Sequence, residues 1–217
     1  MNRPALAAFA LVVAASAAAG VLAQPAAPAR PATPAMPQMP PVATDPAKMP
    51  AGHYTSDPHH TFLLMSVHHM GLSHPTMRMN KVDAAFDFDP AKPDSSKVTA
   101  VIDANSFDFG DAAISTQFAK EFLDAPNNPT IKFASTSIKR TAGVKGVMTG
   151  DLTLRGVTKP VTMDVTFDGY LPAMGGRAGF SAKGVVKRSD FGPNAMPPAI
   201  LSDNVDITLE LEFVKKG

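Results

Sequence analysis

NVDITLELEF (204–213) carries Val205, Ile207, Leu209, Leu211 and Phe213 in strict alternation with Asp206, Thr208, Glu210 and Glu212. Successive side chains of a strand point to opposite faces, so this spacing predicts a strand with one buried apolar face and one solvated face. VTMDVTFD (161–168) repeats the pattern, with Val161, Met163, Val165 and Phe167 set against Thr162, Asp164, Thr166 and Asp168. The same reading predicts strands over 61–69, 77–89, 96–104, 130–139, 144–154 and 177–188. Turn signals separate them, among them Pro93-Asp94, Ala142-Gly143 and Gly175-Gly176.

One segment follows a different period. DAAISTQFAKEFLDAP (111–126) places Ile114, Phe118, Phe122 and Leu123 on one helical face, with Asp111 as N-cap and Pro126 ending the run. It predicts a single short amphipathic helix. A set of about eight antiparallel strands must deal with its open edges, and closing into a barrel does so. The fold class is therefore all-β, an extended antiparallel barrel with one helix. Long tilted strands make a tall barrel whose interior holds a small ligand as well as side chains. Leu, Val, Ile, Met and Phe would line it; the chain has no Trp, and its two tyrosines are Tyr54 and Tyr170.

The barrel pattern occupies residues 51–217. Before it, residues 1–23 place Arg3 ahead of an apolar, Ala-rich run that ends in small or short residues, Val21 and Ala23, and read as a cleaved secretory signal peptide. Residues 24–50 contain nine prolines and read as an extended, disordered tether, because each Pro removes a donor and fixes φ. The expected location is the periplasm. The 217-residue chain has no cysteine and a net charge of +1. Disulfides, thiolate-bound metals and a cysteine nucleophile are thereby excluded, and there is no electrostatic footprint for nucleic acid.

Enzymatic signatures are missing as well. The sequence contains no G-x-S-x-G elbow, phosphate loop or dinucleotide fingerprint. All six histidines fall within HYTSDPHHTFLLMSVHHMGLSH (53–74), with Met65, Met70, Met77 and Met79 among or just after them. Imidazole and thioether are metal ligands, which raises a competing reading: a copper- or zinc-binding protein using 53–79 together with Met36, Met39 and Met49. Strand parity argues against a joint grip. Along 61–69, Leu63, Met65, Val67 and His69 share one face while His68 points to the other. His60 and His68 share parity but stand roughly 26 Å apart at about 3.3 Å per residue. His69, closing the apolar stripe, is the histidine best placed to meet a ligand's polar group inside the barrel. Arg188 and Asp190 are expected to brace the barrel end.

Several stretches carry a family likeness. Tyr54, Asp57, Pro58 and His60 form Y-x-x-D-P-x-H, and Val67, His69 and Gly71 form V-x-H-x-G. GDLTLRGVTKPV (150–161) and AGFSAKGVVKRSDFG (178–192) are the most specific. NSFDFG (105–110) and the series Pro129, Ile131, Phe133 and Ser135 complete the order. On these motifs the chain resembles the YceI-like family of bacterial exported, lipocalin-like polyisoprenoid-binding proteins. The resemblance spans residues 54–213.

That resemblance implies an antiparallel barrel holding a long apolar chain, a polyisoprenoid or quinone tail, with no enzymatic activity; no resident metal or cofactor is expected. The expected partners are the apolar lipid itself and, transiently, an inner-membrane donor. The expected ligand-contacting residues are Leu63, Met65, Val67, His69, Met79, Phe86, Ile102, Phe118, Phe122, Phe133, Val165, Phe167 and Phe180. Two departures stand out. The family's R-D-x-H-L pattern is replaced here by Ile114, Ser115, Gln117 and Phe118, and a Gly-x-Phe by Met77 and Met79. If the charged helix pattern orients a head group in relatives, this chain must do so differently.

Overall fold

The computed structural model describes residues 40–193 and 195–217. The expected signal peptide and residues 24–39 of the tether, with Met36 and Met39, lie outside them. Ten strands form one antiparallel sheet: β1 (Gly52–Ser66), β2 (Thr76–Met79), β3 (Val82–Phe88), β4 (Lys97–Asp103), β5 (Phe107–Asp108), β6 (Thr130–Ala142), β7 (Lys145–Leu154), β8 (Val157–Leu171), β9 (Arg177–Lys187) and β10 (Asn204–Lys215). β10 pairs with β9 on one side and β1 on the other, which closes the barrel. Its helix, α1 (Ala112–Leu123), follows β5.

Ten strands make eight staves because two staves are bent. The segment expected to be one strand over 77–89 breaks at Asn80–Lys81 into β2 and β3. β2 pairs with the second half of β1 and β3 with the first. The neighbouring stave breaks in the same place, where a short 3-10 turn, Ala104–Ser106, separates β4 from β5. Asn80 N–H donates to Ser106 O and Lys81 N–H to Ser106 Oγ, so the two breaks satisfy one another's backbone. The break also rescues parity. Met77 and Met79 face inward before it, and Val82, Ala84 and Phe86 after it. Uninterrupted alternation would have turned Lys81, Asp83 and Asp87 to the inside.

β1 departs further from its expected course. It begins at Gly52 rather than 61 and ends at Ser66, leaving His68 and His69 beyond the strand. Ser56 pairs with Phe213 while Thr61 pairs with Leu211, so five steps along β1 match two along β10. The surplus forms a wide bulge over 57–60 that flips the inward parity from Tyr54 to Leu63 and Met65.

α1 begins where expected: the Asp111 carboxylate accepts from Ile114 N–H at 2.9 Å. Its buried arc is narrower than the sequence suggested. Phe118, Phe122 and Leu123 face the barrel interior, but Ile114 is 38% exposed. At about 100° per residue Ile114 falls at the margin of the arc they span.

The tether also ends earlier than residue 50. Ala43 exchanges two 2.8 Å backbone hydrogen bonds with Tyr170 of β8. Asp45 caps a 3-10 turn over Pro46–Lys48, and Met49 is 1% exposed in a cluster with Tyr54, Phe167 and Tyr170. Prolines permit this docking because the bonded pair uses Ala43, which has an N–H to donate, while Pro46 opens a turn that needs none. This strap seals the barrel's base. Met49→Ala is expected to lower unfolding free energy by about 2–4 kcal/mol, the usual cost of emptying a buried Met site, measured by urea denaturation.

Candidate ligand-binding cavity

Antiparallel register sorts the connections to two ends. The β1–β2 turn, the β5–α1 segment, the β7–β8 turn and the β9–β10 connection gather at one end, called the mouth below. The strap, the β3–β4 and β6–β7 connections and the β8–β9 turn gather at the base. Between them the barrel is hollow, with two chambers of about 350 Å³ and 170 Å³. Val98, Met148, Leu209, Leu211 and Phe213 line both and form a waist. The hollow explains a mismatch between pattern and burial. Val205, Ile207, Leu209 and Leu211 all point inward, as their alternation required, yet are only half-buried, because they border open volume.

Leu63, Met65, Val67, His69, Met79, Ile102, Phe118, Phe122 and Phe133 stand on the wall of the larger, mouth-side chamber. Phe86, Val165, Phe167 and Phe180 stand in the smaller one at the base. No periodicity marked this division. Its cause is aromatic crowding: Phe86 makes edge-on contacts with Phe180 and Phe213 at 5.5 and 4.8 Å between ring centroids, and Tyr54 stacks on Phe86 at 5.0 Å. Burial pushes the Tyr54 phenol up to about 12, helped by Tyr170, and its hydroxyl donates to Pro50 O at 2.8 Å. Phe133 is seated by a missing side chain. A Cβ on Gly150 would collide with the Phe133 ring and with Ala134 O, so only glycine fits there.

Sequence reasoning placed His69 and Arg188 at this end but missed the rest of the mouth. Ala195, Met196 and Leu201 of the β9–β10 connection line the larger chamber with Arg155 and Arg188. Arg188 braces that connection: Nε donates to Ser202 O at 2.9 Å and Nη2 to Leu201 O at 2.5 Å and Met196 O at 3.5 Å. Burial draws its pKa below the ordinary arginine value, with Asp203 opposing. Asp190 is exposed. Arg155 occupies the two-residue β7–β8 turn with Gly156, both at positive φ (53° and 74°), the geometry that fits a tight hairpin's twist. His69 is the other polar lining group at the mouth; its imidazole forms no hydrogen bond among the described residues.

Three of the four altered helix positions, Ile114, Ser115 and Gln117, lie away from the cavity. Gln117 is exposed and donates to Glu121 Oε1, while Ser115 is buried and donates to Asp111 O. Only Phe118 of that set lines the chamber, whereas Met77 and Met79 both do.

The remaining histidines scatter. His53 Nδ1 lies 2.8 Å from an Asp87 carboxylate oxygen, and His59 is exposed. The His68 and His74 rings meet edge-on at 4.2 Å, a contact that parity alone did not foresee because the turn after β1 returns the chain. The bulge brings Asp57, His60 and Glu212 together with ligand atoms within 4.8 Å, the one such group of three among the described residues. A guanidinium already fills that position. Arg177 Nη1 donates to Asp57 Oδ2 at 2.5 Å and Glu212 Oε2 at 3.1 Å. The copper- or zinc-binding reading is not favoured.

Arg177, with donors from His59 N–H and His60, holds the Asp57 carboxyl well below the ordinary carboxylate range. A depressed folded pKa lends stability that is fully present above about pH 4 and is lost as pH falls through the folded value. Asp57→Asn is therefore expected to lower the thermal midpoint at neutral pH by several degrees. Its gap from the parent should narrow as pH drops below about 4, which calorimetry across an acid series would read.

A closed eight-stave antiparallel barrel with a hollow apolar interior and a helix at one end defines a lipocalin-like binding fold. The model of the YceI-like domain matches residues 54–213, and the chain belongs to that family. A UPF0312 protein of Pseudomonas fluorescens is 38% identical over 160 residues, covering 72% of this chain and 82% of that one. A Pseudomonas putida UPF0312 protein is 36% identical with the same coverage. The Burkholderia cenocepacia protein BcnA superposes with a TM-score of 0.65 at 28% identity, covering 72% of this chain and 98% of its own. A polyisoprenoid-binding domain from Saccharophagus degradans shares the fold, with a TM-score of 0.55 at 11% identity over 77% of this chain and all of that one.

Proposed function

We propose that this protein binds one long apolar lipid, a polyisoprenoid or an isoprenoid quinone, inside the barrel, and that it carries or stores the lipid in the periplasm without chemically changing it. The observation that carries this reading is the pair of adjoining chambers, walled mainly by Leu, Val, Ile, Met, Phe and Ala, with His69, Arg155 and Arg188 at the mouth and Ser96, Arg140 and Lys145 at the rim of the base. An apolar cavity with a few polar groups at its ends suits a chain with a polar head. Burial favours the chain by about 0.8 kcal/mol per CH₂, so about 4 kcal/mol gross per five-carbon unit, much of it offset by ordering the chain. The Saccharophagus domain, named for polyisoprenoid binding, has the same fold.

Native mass spectrometry of the purified protein, followed by lipid extraction, tests the reading. The expected result is a stoichiometric adduct of isoprenoid mass, or uptake of an added isoprenoid quinone. An empty barrel that takes up neither a polyprenyl lipid nor a quinone overturns it.

A further inference from the structure

Two turns at the mouth carry an exposed surface with an unusual composition. In the β9–β10 connection, residues 195–201 read Ala-Met-Pro-Pro-Ala-Ile-Leu, seven consecutive residues without a polar side chain. Pro197, Pro198, Ala199 and Ile200 are exposed, Ile200 by 40%, while Met196 and Leu201 turn into the chamber. Beside it, the turn after β1 exposes Met70 by 56% and Leu72 by 81%. The turns are tied together: Met70 N–H donates to Ile200 O at 2.9 Å, Ser202 N–H to His68 O at 2.9 Å, and His69 bridges to Leu201. Single exposed apolar residues need no explanation, but a contiguous patch marks a contact site.

Three features point to a bilayer as the occupant. No Asp, Glu, Lys or Arg occurs from Pro58 through Met77 or within 195–201. Neither turn therefore carries a permanently charged side chain; the exposed His68 and His74 flank the first of them. Met70 is held at φ +53°, a conformation unfavourable for its side chain, in the turn that presents it to solvent. The patch is also continuous with the wall of the larger chamber through Met196, Leu201 and His69. A lipid crossing from a membrane into the barrel at this end would then pass along apolar surface.

We infer that the 69–72 turn and the 195–201 connection form a membrane-docking surface, which inserts into the interfacial region of a phospholipid bilayer and sets the barrel mouth against it. This rests on the lipid-binding reading above and names where the cargo enters. Docking is driven by apolar insertion, so it should proceed on zwitterionic lipid and respond weakly to salt.

The test is flotation with phosphatidylcholine vesicles, with and without phosphatidylglycerol, at low and high salt. It compares the parent with the triple variant Met70→Ser, Leu72→Ser, Ile200→Ser. Circular dichroism establishes that both are folded. The expected result is flotation of the parent on both vesicle types and at least about a tenfold loss in the variant. Uptake of an isoprenoid quinone from the vesicles should slow similarly. Because the chain has no Trp, Leu72→Trp supplies a lone reporter whose emission should shift to the blue on adding vesicles. A parent that does not float overturns the docking surface, even where mass spectrometry finds lipid in the barrel. So does equal flotation of parent and variant, or a vesicle-independent dimer that the triple variant disperses. Flotation lost in the variant while the barrel proves empty supports the surface and removes only the cargo.

Discussion

Ala100→Phe should cut lipid binding by about 30-fold while leaving the barrel folded. Ala100 lies on β4, opposite Ala84 on one side and Phe133 on the other, and packs against both halves of the interior. Its methyl group borders the larger chamber near the waist. A benzyl group there points into open volume rather than into close-packed side chains, so the overpacking penalty should fall below the usual 1–3 kcal/mol or so. The same ring excludes roughly one isoprene unit of a bound chain. That unit is worth about 4 kcal/mol gross, and allowing half for ordering leaves about 2 kcal/mol, or about 30-fold in affinity. Val101→Phe is the matched control. Val101 is the next residue, faces outward and is 47% exposed, so a ring there should leave binding unchanged. Competition for an isoprenoid quinone, read by native mass spectrometry with the thermal midpoint of each variant, checks the prediction. Equal losses in both variants would place the lipid outside the barrel.

The sequence made the barrel legible where one rule acted alone. Along β10 from Asp206 to Leu211 and along β8 from Met163 to Thr166 each residue has one partner on either side and one choice of face, so alternation identified Leu209 and Val165 as inward without any knowledge of their partners. Parity failed wherever the ladder was interrupted. At 57–60 surplus residues on β1 gathered Asp57, His60, Glu212 and Arg177, a group drawn from three strands that no one-dimensional spacing records. At Asn80–Lys81 the break reset the inward face, and the only hint was that unbroken alternation would have buried charge. Met49 hid among prolines for a related reason: a single anchoring side chain has no period. The mouth was illegible because its residues lie in turns. The apolar run at 195–201 was visible, but neither its partner turn at 69–72 nor its place beside the chamber follows from composition. His69 could be proposed for the interior because it continued the stripe of Leu63, Met65 and Val67, although it lies beyond the strand itself.

Phe213→Ala should destabilise the protein by about 3–5 kcal/mol, the range for emptying a buried Phe site. Phe213 is 3% exposed, sits opposite Ser56 on β1 and Ala178 on β9, and lies at the waist where both chambers meet. Its ring contacts Phe86 edge-on at 4.8 Å and Phe180 at 5.9 Å. Both contacts would be lost along with the buried area. For a domain of this size a 3 kcal/mol loss corresponds to roughly 6–12 °C in thermal midpoint. Phe62→Ala bounds the comparison: Phe62 lies on the outer face of the same barrel, is 39% exposed and carries Arg78 over its ring at 5.7 Å. Its loss should cost about 1 kcal/mol or less. Urea denaturation of both variants separates them, with a large fall in midpoint for Phe213→Ala at unchanged m-value. The variant should also widen the waist, because the removed ring borders both chambers. A folded Phe213→Ala protein should therefore accept a bulkier or longer apolar chain than the parent. A large stability loss with an unaltered ligand mass profile would mean that the ring supports the wall without limiting how deep the chain can reach.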